Sequence, residues 1–399
     1  MQTLCKTHPL TRCETADNLP HSQASAQPTS STGQLPVSAY FDDALFQREL
    51  QTLFQNRPRY VGHAASVPNV GDYATLAQEG EGRALLRTPN GIELISNVCR
   101  HRQALMLKGR GNLAACGGQL VCPIHRWTYS AGDAAGQVPA GQLIGAPHFD
   151  HNPCLHLSNY PLHEWNGLLF EDNGCDVAAD LAGMQERAAL DFSGYVPGKV
   201  ELHECNYNWK TFIEVYLEDY HVGPFHPGLG HFVTCDDLRW QFGEQFSVQT
   251  VGVSKAFGQP GSAVYQRWVD ALLAYRGGVQ PERGAVWLTY YPHLMVEWYP
   301  HVLTVSTLHP IGPCKTLNQV AFFYPQEIAA FEPEFIQAQQ AAYMETCMED
   351  DEIGERMDAG RKALLARGDN QVGPYQSPME DGMQHFHAWY RRQMGSRGL

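Results

Sequence analysis

Four residues draw attention first by type and spacing. Cys99 and His101 form one pair, and after twenty residues Cys122 and His125 form a second. Each pair places one thiolate and one imidazole on a tight loop. Two thiolates on one iron and two imidazoles on the other make the ligand set of a two-iron, two-sulfur cluster whose neutral imidazoles raise its potential. The same four residues could hold zinc. Zinc fingers usually pair Cys with Cys and His with His, so the alternating order suits the iron–sulfur reading better. Cys116 lies between the pairs without a His two residues on. It reads as a small apolar residue, as do Cys154, Cys175, Cys205, Cys235 and Cys314.

A second set of donors lies further along. The stretch from Asn208 to Pro227 carries His221 and His226. Five residues apart, they would lie far from one face of a straight helix, since five steps of about 100° make about 500°. Gly223 and Pro224 are expected to break the helix between them and fold His226 back toward His221. A non-haem iron that activates oxygen needs a carboxylate as third ligand and open positions besides. On the helical period, Tyr343, Cys347, Asp350, Gly354 and Met357 share one face. Asp350 is therefore expected to point inward, where a carboxylate is costly unless paired or metal-bound. Asp351 falls beside Glu355 and Asp358 and is expected in solvent. Read alone, the two His could equally be core or surface residues, and Asp350 a salt-bridge partner.

These residues need elements to position them. From Leu35 to about Arg57 the pattern is helical, with Phe46, Leu50 and Phe54 four residues apart. Short apolar runs separated by Gly, Asn and Asp turns, from about Tyr60 to Glu171, predict a small all-β domain. A helical connector is expected around Val177 to Gly194, and a helix from about Trp209 to Val222. Strand-like segments follow, among them Val286 to Tyr291, Met295 to Trp298, Leu303 to Leu308 and Val320 to Tyr324. A long helix is predicted from about Pro333 to Ala366 and a short one from Gln384 to Gln393. The irregular alternation predicts an α+β protein.

A chain of 399 residues, 43% of them hydrophobic, can bury the cores of two domains or more. The net charge of −14 argues against nucleic acid, whose phosphates need a clustered basic surface. No stretch of about 18 apolar residues exists, so no membrane span is expected. The first 36 residues are rich in Ser, Thr, Gln and Pro and lack the apolar core of a secretory signal. They read as the disordered leader of a cytoplasmic protein, with Cys5 and Cys13 inside it. Eleven scattered cysteines in such a chain are expected to be reduced. There is no internal repeat and no Gly-rich dinucleotide loop.

Taken together, the motifs resemble one family. Cys99-Arg100-His101-Arg102 and Cys122-Pro123-Ile124-His125-Arg126-Trp127 resemble the two loops of Rieske oxygenases, with Arg126 where family members commonly have Gly. Asn208-Trp209-Lys210, Tyr220-His221 and His226 resemble the iron-binding segment of their large subunits. Glu349-Asp350 followed by Glu352-Ile353 resembles the segment that supplies the carboxylate. Ser377-Pro378-Met379-Glu380 and His385-Phe386-His387-Ala388-Trp389 resemble the family's C-terminus.

The resemblance covers nearly everything after residue 36. It implies a helix (37–57) packing on the catalytic domain, a Rieske domain (58–172) and a helix-grip catalytic domain (173–399) with an antiparallel sheet around a long helix. It implies an iron–sulfur cluster on Cys99, His101, Cys122 and His125, and Fe(II) on His221, His226 and Asp350. Electrons would come from NAD(P)H through a separate reductase or ferredoxin, since no nucleotide fingerprint is visible. O₂ and a small organic molecule would be the substrates. Family members commonly form homotrimers in which each cluster serves the neighbour's iron. Many have an Asp three residues before the first His ligand, linking a cluster His to an iron His. Glu218 stands there, with Asp219 beside it as the alternative.

The segment from Leu217 to Gly228 looks closer to carnitine- and choline-type monooxygenases than to naphthalene-type dioxygenases. The expected substrate is thus an aromatic or a quaternary ammonium compound. Trp268, Trp287, Tyr290, Tyr291, Trp298 and Tyr299 fall where the pocket is expected. They could stack a ring, cage a cation or simply be core. The alternatives are a Rieske electron carrier without oxygenase activity and a zinc-stabilised binding module.

Overall fold

In the computed structural model, residues 33–150, 153–259 and 261–395 are described. Most of the expected leader, with Cys5 and Cys13, lies outside them. The polypeptide is already packed by Leu35, which is buried against Tyr40 and Tyr390 in one hydrophobic cluster.

Helix α1 (Asp43–Glu49) starts on Asp42, whose carboxylate accepts from the Leu45 amide, and Leu50–Gln55 continues it as a wider, π-type turn. The expected β region follows. It contains β1 (Arg59–His63), β2 (Asp72–Thr75), β3 (Arg83–Thr88), β4 (Gly91–Ser96), β5 (Arg110–Asn112), β6 (Leu120–Val121), β7 (Thr128–Ala131), β8 (Ala140–Gly145), β9 (Asn159–Tyr160), β10 (Leu162–Trp165) and β11 (Leu168–Glu171). These form three antiparallel sheets ordered β5-β2-β3-β4-β9, β6-β7-β8 and β1-β11-β10.

The expected connector is only one turn, α2 (Val177–Asp180), and a 3₁₀ turn at Gln185–Ala188. What it contributes is apolar cover, since Val177, Leu181, Met184, Leu190 and Phe192 are buried. Beyond it, β12 (Tyr195–Cys205), β13 (Val233–Phe242), β14 (Phe246–Val253), β15 (Ala285–Tyr290), β16 (Leu294–Tyr299), β17 (Val302–Gly312) and β18 (Lys315–Pro325) form one antiparallel sheet ordered β12-β18-β17-β16-β15-β14-β13. Helices α3 (Trp209–Tyr216), α4 (Val222–Phe225) and α5 (Leu229–Phe232) lie between β12 and β13, and α6 (Ala263–Tyr275) between β14 and β15. Helices α7 (Gln326–Phe331), α8 (Pro333–Ala366) and α9 (Asp381–Met394) close the chain.

Both faces of the large sheet are covered, which is why its central strands read as continuous apolar runs instead of alternating. On one face Trp287, Tyr299, Val302, Val320 and Phe322 pack against Trp268 of α6 and Phe335, Ala338 and Ala342 of α8. On the other, Val286, Leu288, Val296, Val305 and Phe323 pack against Trp165, Leu168 and Phe170 of the small domain and Leu181.

Helix α3 is held by charges rather than by apolar packing alone. The Lys210 ammonium is buried and lies 2.7 Å from Glu49 on α1; Trp209 Nε1 donates to the same carboxylate at 2.9 Å, and Tyr390 of α9 donates to it as well. Burial depresses the Lys210 pKa, and Glu49 offsets part of that loss. Glu214, one turn on, takes hydrogen bonds from Arg361 of α8, His387 of α9 and Tyr40. Breaking one member of a buried ion pair strands the other, at a cost of about 3–5 kcal/mol, whereas replacing both by apolar groups is close to neutral. Glu49→Gln is therefore expected to lower the unfolding midpoint of the holoprotein markedly, and Glu49→Gln with Lys210→Met to recover at least half of the loss. Equal losses in the two variants would show that the stranded ammonium is not the cause.

Candidate metal centres

The first pair of motifs forms two matching loops. In the loop after β4, the Cys99 amide donates to the Ala104 carbonyl (2.9 Å) and the Gln103 amide to the Cys99 carbonyl (3.1 Å). In the loop between β6 and β7, the Cys122 amide donates to the Trp127 carbonyl (2.8 Å) and the Arg126 amide to the Cys122 carbonyl (3.1 Å). Each turns through a left-handed residue at the same place, Gln103 (φ 53°) and Arg126 (φ 61°). The buried Asn97 ties the first loop down by bonding both ways with the Leu107 backbone.

Cys99 and Cys122 are buried side by side in one apolar cluster with Leu107, Leu120 and Tyr129. The Tyr129 hydroxyl lies 3.5 Å from Cys99 Sγ. The rings of His101 and His125 lie with centroids 4.5 Å apart, and His101 stacks on Trp127. His101 Nδ1 is buried without a hydrogen-bond partner. Two sheltered thiols and two neighbouring imidazoles, one with an orphaned nitrogen, fit the ligand set of an iron–sulfur cluster of mixed ligation.

The second set of donors converges too, by a route that differs from the expected one. Helix α3 ends at Tyr216, and the break comes before His221. There the Asp219 amide turns away to the Met379 carbonyl (3.0 Å) and the Val222 amide donates to the Asp219 carbonyl (3.2 Å). Gly223 and Pro224 are not the break; they sit inside the single turn α4. Pro224 is its third residue, where an amide has no acceptor within the helix and its loss costs nothing. His226 caps that turn.

His221 Nε2 and His226 Nε2 are 3.0 Å apart, and Asp350 Oδ1 lies 3.0 Å from the second and 3.5 Å from the first. Both Nδ1 atoms face carboxylates: His221 faces Glu218 (2.5 Å) and His226 faces Glu349 (2.6 Å). A carboxylate on Nδ1 fixes the proton there and leaves the Nε2 lone pair bare. Three lone pairs this close repel unless a proton or a metal cation stands among them. Donors on one face of an octahedron, with bonds of about 2.1 Å, stand about 3 Å apart. The donor set and its spacing fit a metal of the two-His, one-carboxylate kind. With no metal present, burial opposes protonation, yet Asp350 and Glu218 raise His221 to about 10. Burial alone would raise Asp350, and the two imidazoles bring it below its ordinary value instead.

Asp350 points inward as expected. Its neighbour Asp351 does not face solvent: it lies 2.6 Å from His203 Nε2 and accepts from the Tyr207 hydroxyl at 3.0 Å. Asp358 is fully buried and accepts from the Asn208 amide and the Thr211 hydroxyl. Both correct the solvent expectation, for a physical reason: these acids bind α8 to β12 and α3. Gly354 faces the Tyr207 ring, where any Cβ would come within 2.9 Å. Glu349, which orients His226, carried no role in the sequence reading; an acid next to the ligand acid on the same helix is the signal that marks it. Glu218 bonds both the backbone amide and Nδ1 of His221. Asp219 is buried beside it, taking a hydrogen bond from Gln249, and its Oδ2 has no partner. Burial, with Glu218 adding, pushes Asp219 up to about 7.

A cavity opens on these groups. It is walled by Phe212, Val215, Leu229, Trp268, Trp287 and Tyr299, with Glu297 at one wall and His221, His226 and Asp350 at another.

Comparison with known proteins agrees with this arrangement. Residues 58–150 match the Rieske [2Fe-2S] domain, and residues 192–396 match the ring hydroxylating alpha subunit (catalytic domain). The putrescine 2-hydroxylase of Ralstonia nicotianae is 64% identical over 361 residues, covering 90% of this chain and 95% of the relative. The putrescine 2-hydroxylase of Bordetella bronchiseptica is 60% identical over 373 residues, covering 91% and 85%. The crystal structure of a quaternary ammonium Rieske monooxygenase superposes with a TM-score of 0.71 at 20% identity, covering 91% of this chain and 96% of that one, and so shares the fold. The chain belongs to the Rieske non-haem iron oxygenases. Within them it is the oxygenase component, the alpha subunit, with a Rieske cluster and a mononuclear iron as its cofactors. The electron-carrier alternative is not favoured.

The loop geometry carries its own test. An L-residue in the left-handed region costs about 1 kcal/mol more than Gly. Arg126 is exposed, and its backbone is in that region. Arg126→Gly is expected to raise the thermal midpoint of cluster bleaching slightly and leave the visible spectrum unchanged. A lower midpoint would show that the Arg126 side chain holds the loop.

Proposed function

We propose that this oxygenase hydroxylates a small aliphatic amine of the diamine class, with His221, His226 and Asp350 holding Fe(II) and Cys99, His101, Cys122 and His125 holding the cluster. The observation that supports the iron assignment most is the triangle of two bare Nε2 atoms and one carboxylate oxygen. When bound, the iron supplies O₂ activation and the cluster supplies single electrons, so that a C–H bond becomes C–OH and the second oxygen leaves as water with two electrons and two protons taken up.

The protein's own residues do the rest. Glu218 and Glu349 hold the two imidazoles in one tautomer and raise their basicity. The aromatic walls exclude water. Phe212, Val215 and Val222 bring apolar surface up to the donor triangle, where an alkyl chain can lie. The amine reading rests on the two relatives named as putrescine 2-hydroxylases and on the acids that line the cavity. A separate reductase or ferredoxin fed by NAD(P)H delivers the electrons, and a homotrimer places each cluster beside a neighbour's iron. Glu218 then bridges from His221 to His125 of that neighbour. Domain limits at 58–172 and 173–399 fit this division of labour. Among the described residues, Cys99, Cys116, Cys122, Cys175, Cys205, Cys235, Cys314 and Cys347 form no disulfide, which suits a reducing cytoplasm. Among those residues no helix is long and apolar enough to cross a membrane.

Asp350→Ala is expected to lose the mononuclear iron and keep the cluster spectrum, because one of three protein ligands is gone. Asp351→Ala is expected to keep that iron and to unfold at a lower temperature, having lost the His203 and Tyr207 anchors. Metal analysis with the cluster spectrum checks both, and retained iron in Asp350→Ala sinks the ligand assignment.

Glu218→Gln is expected to keep both centres and normal cluster reduction by the reductase. Cluster reoxidation with substrate and O₂ should slow by about tenfold or more, since a neutral amide holds an imidazole far more weakly than a carboxylate. Glu218→Asp should recover part of the rate. Single-turnover reoxidation at the wild-type rate in Glu218→Gln would move the bridge to Asp219.

A further inference from the structure

One acid in the cavity has no part in holding metal and no cation to balance it. Glu297 lies on β16, directly across from Trp287 on β15 and Thr304 on β17, so the three side chains leave the sheet on the same face. Its side chain is buried, with 2% of the residue exposed. Tyr343 of α8 donates to Glu297 Oε1 at 2.8 Å. The hydroxyls of Tyr216 and Thr304 lie beside it and face the carboxyl. Trp287 and Tyr299 stand with ring centroids 6.0 Å apart. The indole nitrogen of Trp287 is also buried and unpartnered. Among the described residues, no Lys or Arg lines this cavity.

A buried carboxylate is tolerated when it is paired, metal-bound or neutral. Here the pairing is incomplete: burial pushes the Glu297 carboxyl up to about 7, against its hydroxyl neighbours. An arrangement of one carboxylate within a set of tyrosine and tryptophan faces is what an alkylammonium needs, one hydrogen-bonding anion and several π faces. Tyr343 holds one oxygen of the carboxylate in place, and no cation among the described residues is paired with the group.

We propose that Glu297, within the rings of Tyr216, Trp287, Tyr299 and Tyr343, is the seat of the substrate ammonium group remote from the carbon that is hydroxylated. This rests on the amine reading given above. The distance from Glu297 to the donor triangle then sets which carbon of the chain faces the iron, so Glu297 selects both the second ammonium and the position of hydroxylation.

The test uses cluster- and iron-loaded protein, with calorimetric binding of 1,4-diaminobutane, 1-aminobutane and 1,5-diaminopentane without O₂. The wild type is expected to bind 1,4-diaminobutane, and Glu297→Gln to bind it about 100-fold more weakly, because the seat of one ammonium has lost its charge; 1-aminobutane, whose one ammonium can take the same seat, is expected to weaken as well. Without ligand, Glu297→Gln should unfold at the same or a higher temperature, because an uncompensated buried charge is gone; a structural carboxylate would give the opposite result. Glu297→Asp withdraws the charge by one methylene and is expected to shift the preference toward 1,5-diaminopentane. Undiminished affinity for 1,4-diaminobutane in Glu297→Gln, or an unshifted length preference in Glu297→Asp, overturns the anchor and leaves the amine reading standing. A wild type that binds none of the three amines overturns the amine reading and the anchor with it.

Discussion

Two imidazole nitrogens and a carboxylate oxygen, held 3.0–3.5 Å apart, repel each other unless a proton or a metal cation joins them. The scaffold must supply the force that keeps them there. It does so from behind and from the sides. Glu218 and Glu349 fix the far nitrogens of the imidazoles. Asp351 and Asp358, on the same helix as Asp350, are bound to β12 and α3 through His203, Tyr207, Asn208 and Thr211. Helix α3 is in turn tied to α1 and α9 by Glu49, Lys210 and Glu214. Hydrogen bonds to charged groups contribute about 1.5–3 kcal/mol each, so a handful of them can hold three Lewis bases together ahead of the metal.

The two centres treat histidine in opposite ways. His226 is buried and His221 nearly so, each with its outer nitrogen paired, as suits ligands that must keep their orientation through turnover. His125 is exposed, and Ile124 and Phe149 beside the cluster loops are more than half exposed. The thiols of Cys99 and Cys122 are sheltered. A cluster held by these four residues would have its imidazole ligands toward the outside and its sulfur ligands sheltered.

Much of this was legible in the sequence, where period and chemistry coincide. The long helix runs from Pro333 to Ala366 as its pattern predicts, and Asp350 faces inward with Tyr343 and Gly354. The paired Cys and His loops were legible because ligand chemistry allows few alternatives. What failed was local. Gly223 and Pro224 were read as helix breakers, yet Pro is harmless in a first turn, and the break comes earlier, where the Asp219 amide leaves for Met379. Asp351, beside Glu355 and Asp358, reads as solvated because helical periodicity places acids without showing what lies opposite. Their partners come from residues 203–211, some 150 positions away, and only the tertiary fold brings them in.

Charge in the cavity joins these points. Four carboxyl groups line it: Glu218, Asp219, Glu297 and Asp350. The imidazoles that face them are neutral when they ligate a metal, so they offset none of this charge. A divalent iron offsets two negative charges at one wall and leaves the Glu297 wall acidic. A neutral aromatic substrate would leave that carboxylate buried without compensation, or force it to take up a proton. A cationic amine balances it. The same aromatic side chains that would suit a flat hydrocarbon therefore serve, around an acid, as faces for a positive charge. On the proposed amine reading, the acid among the rings, more than the rings themselves, suits this cavity to a cation.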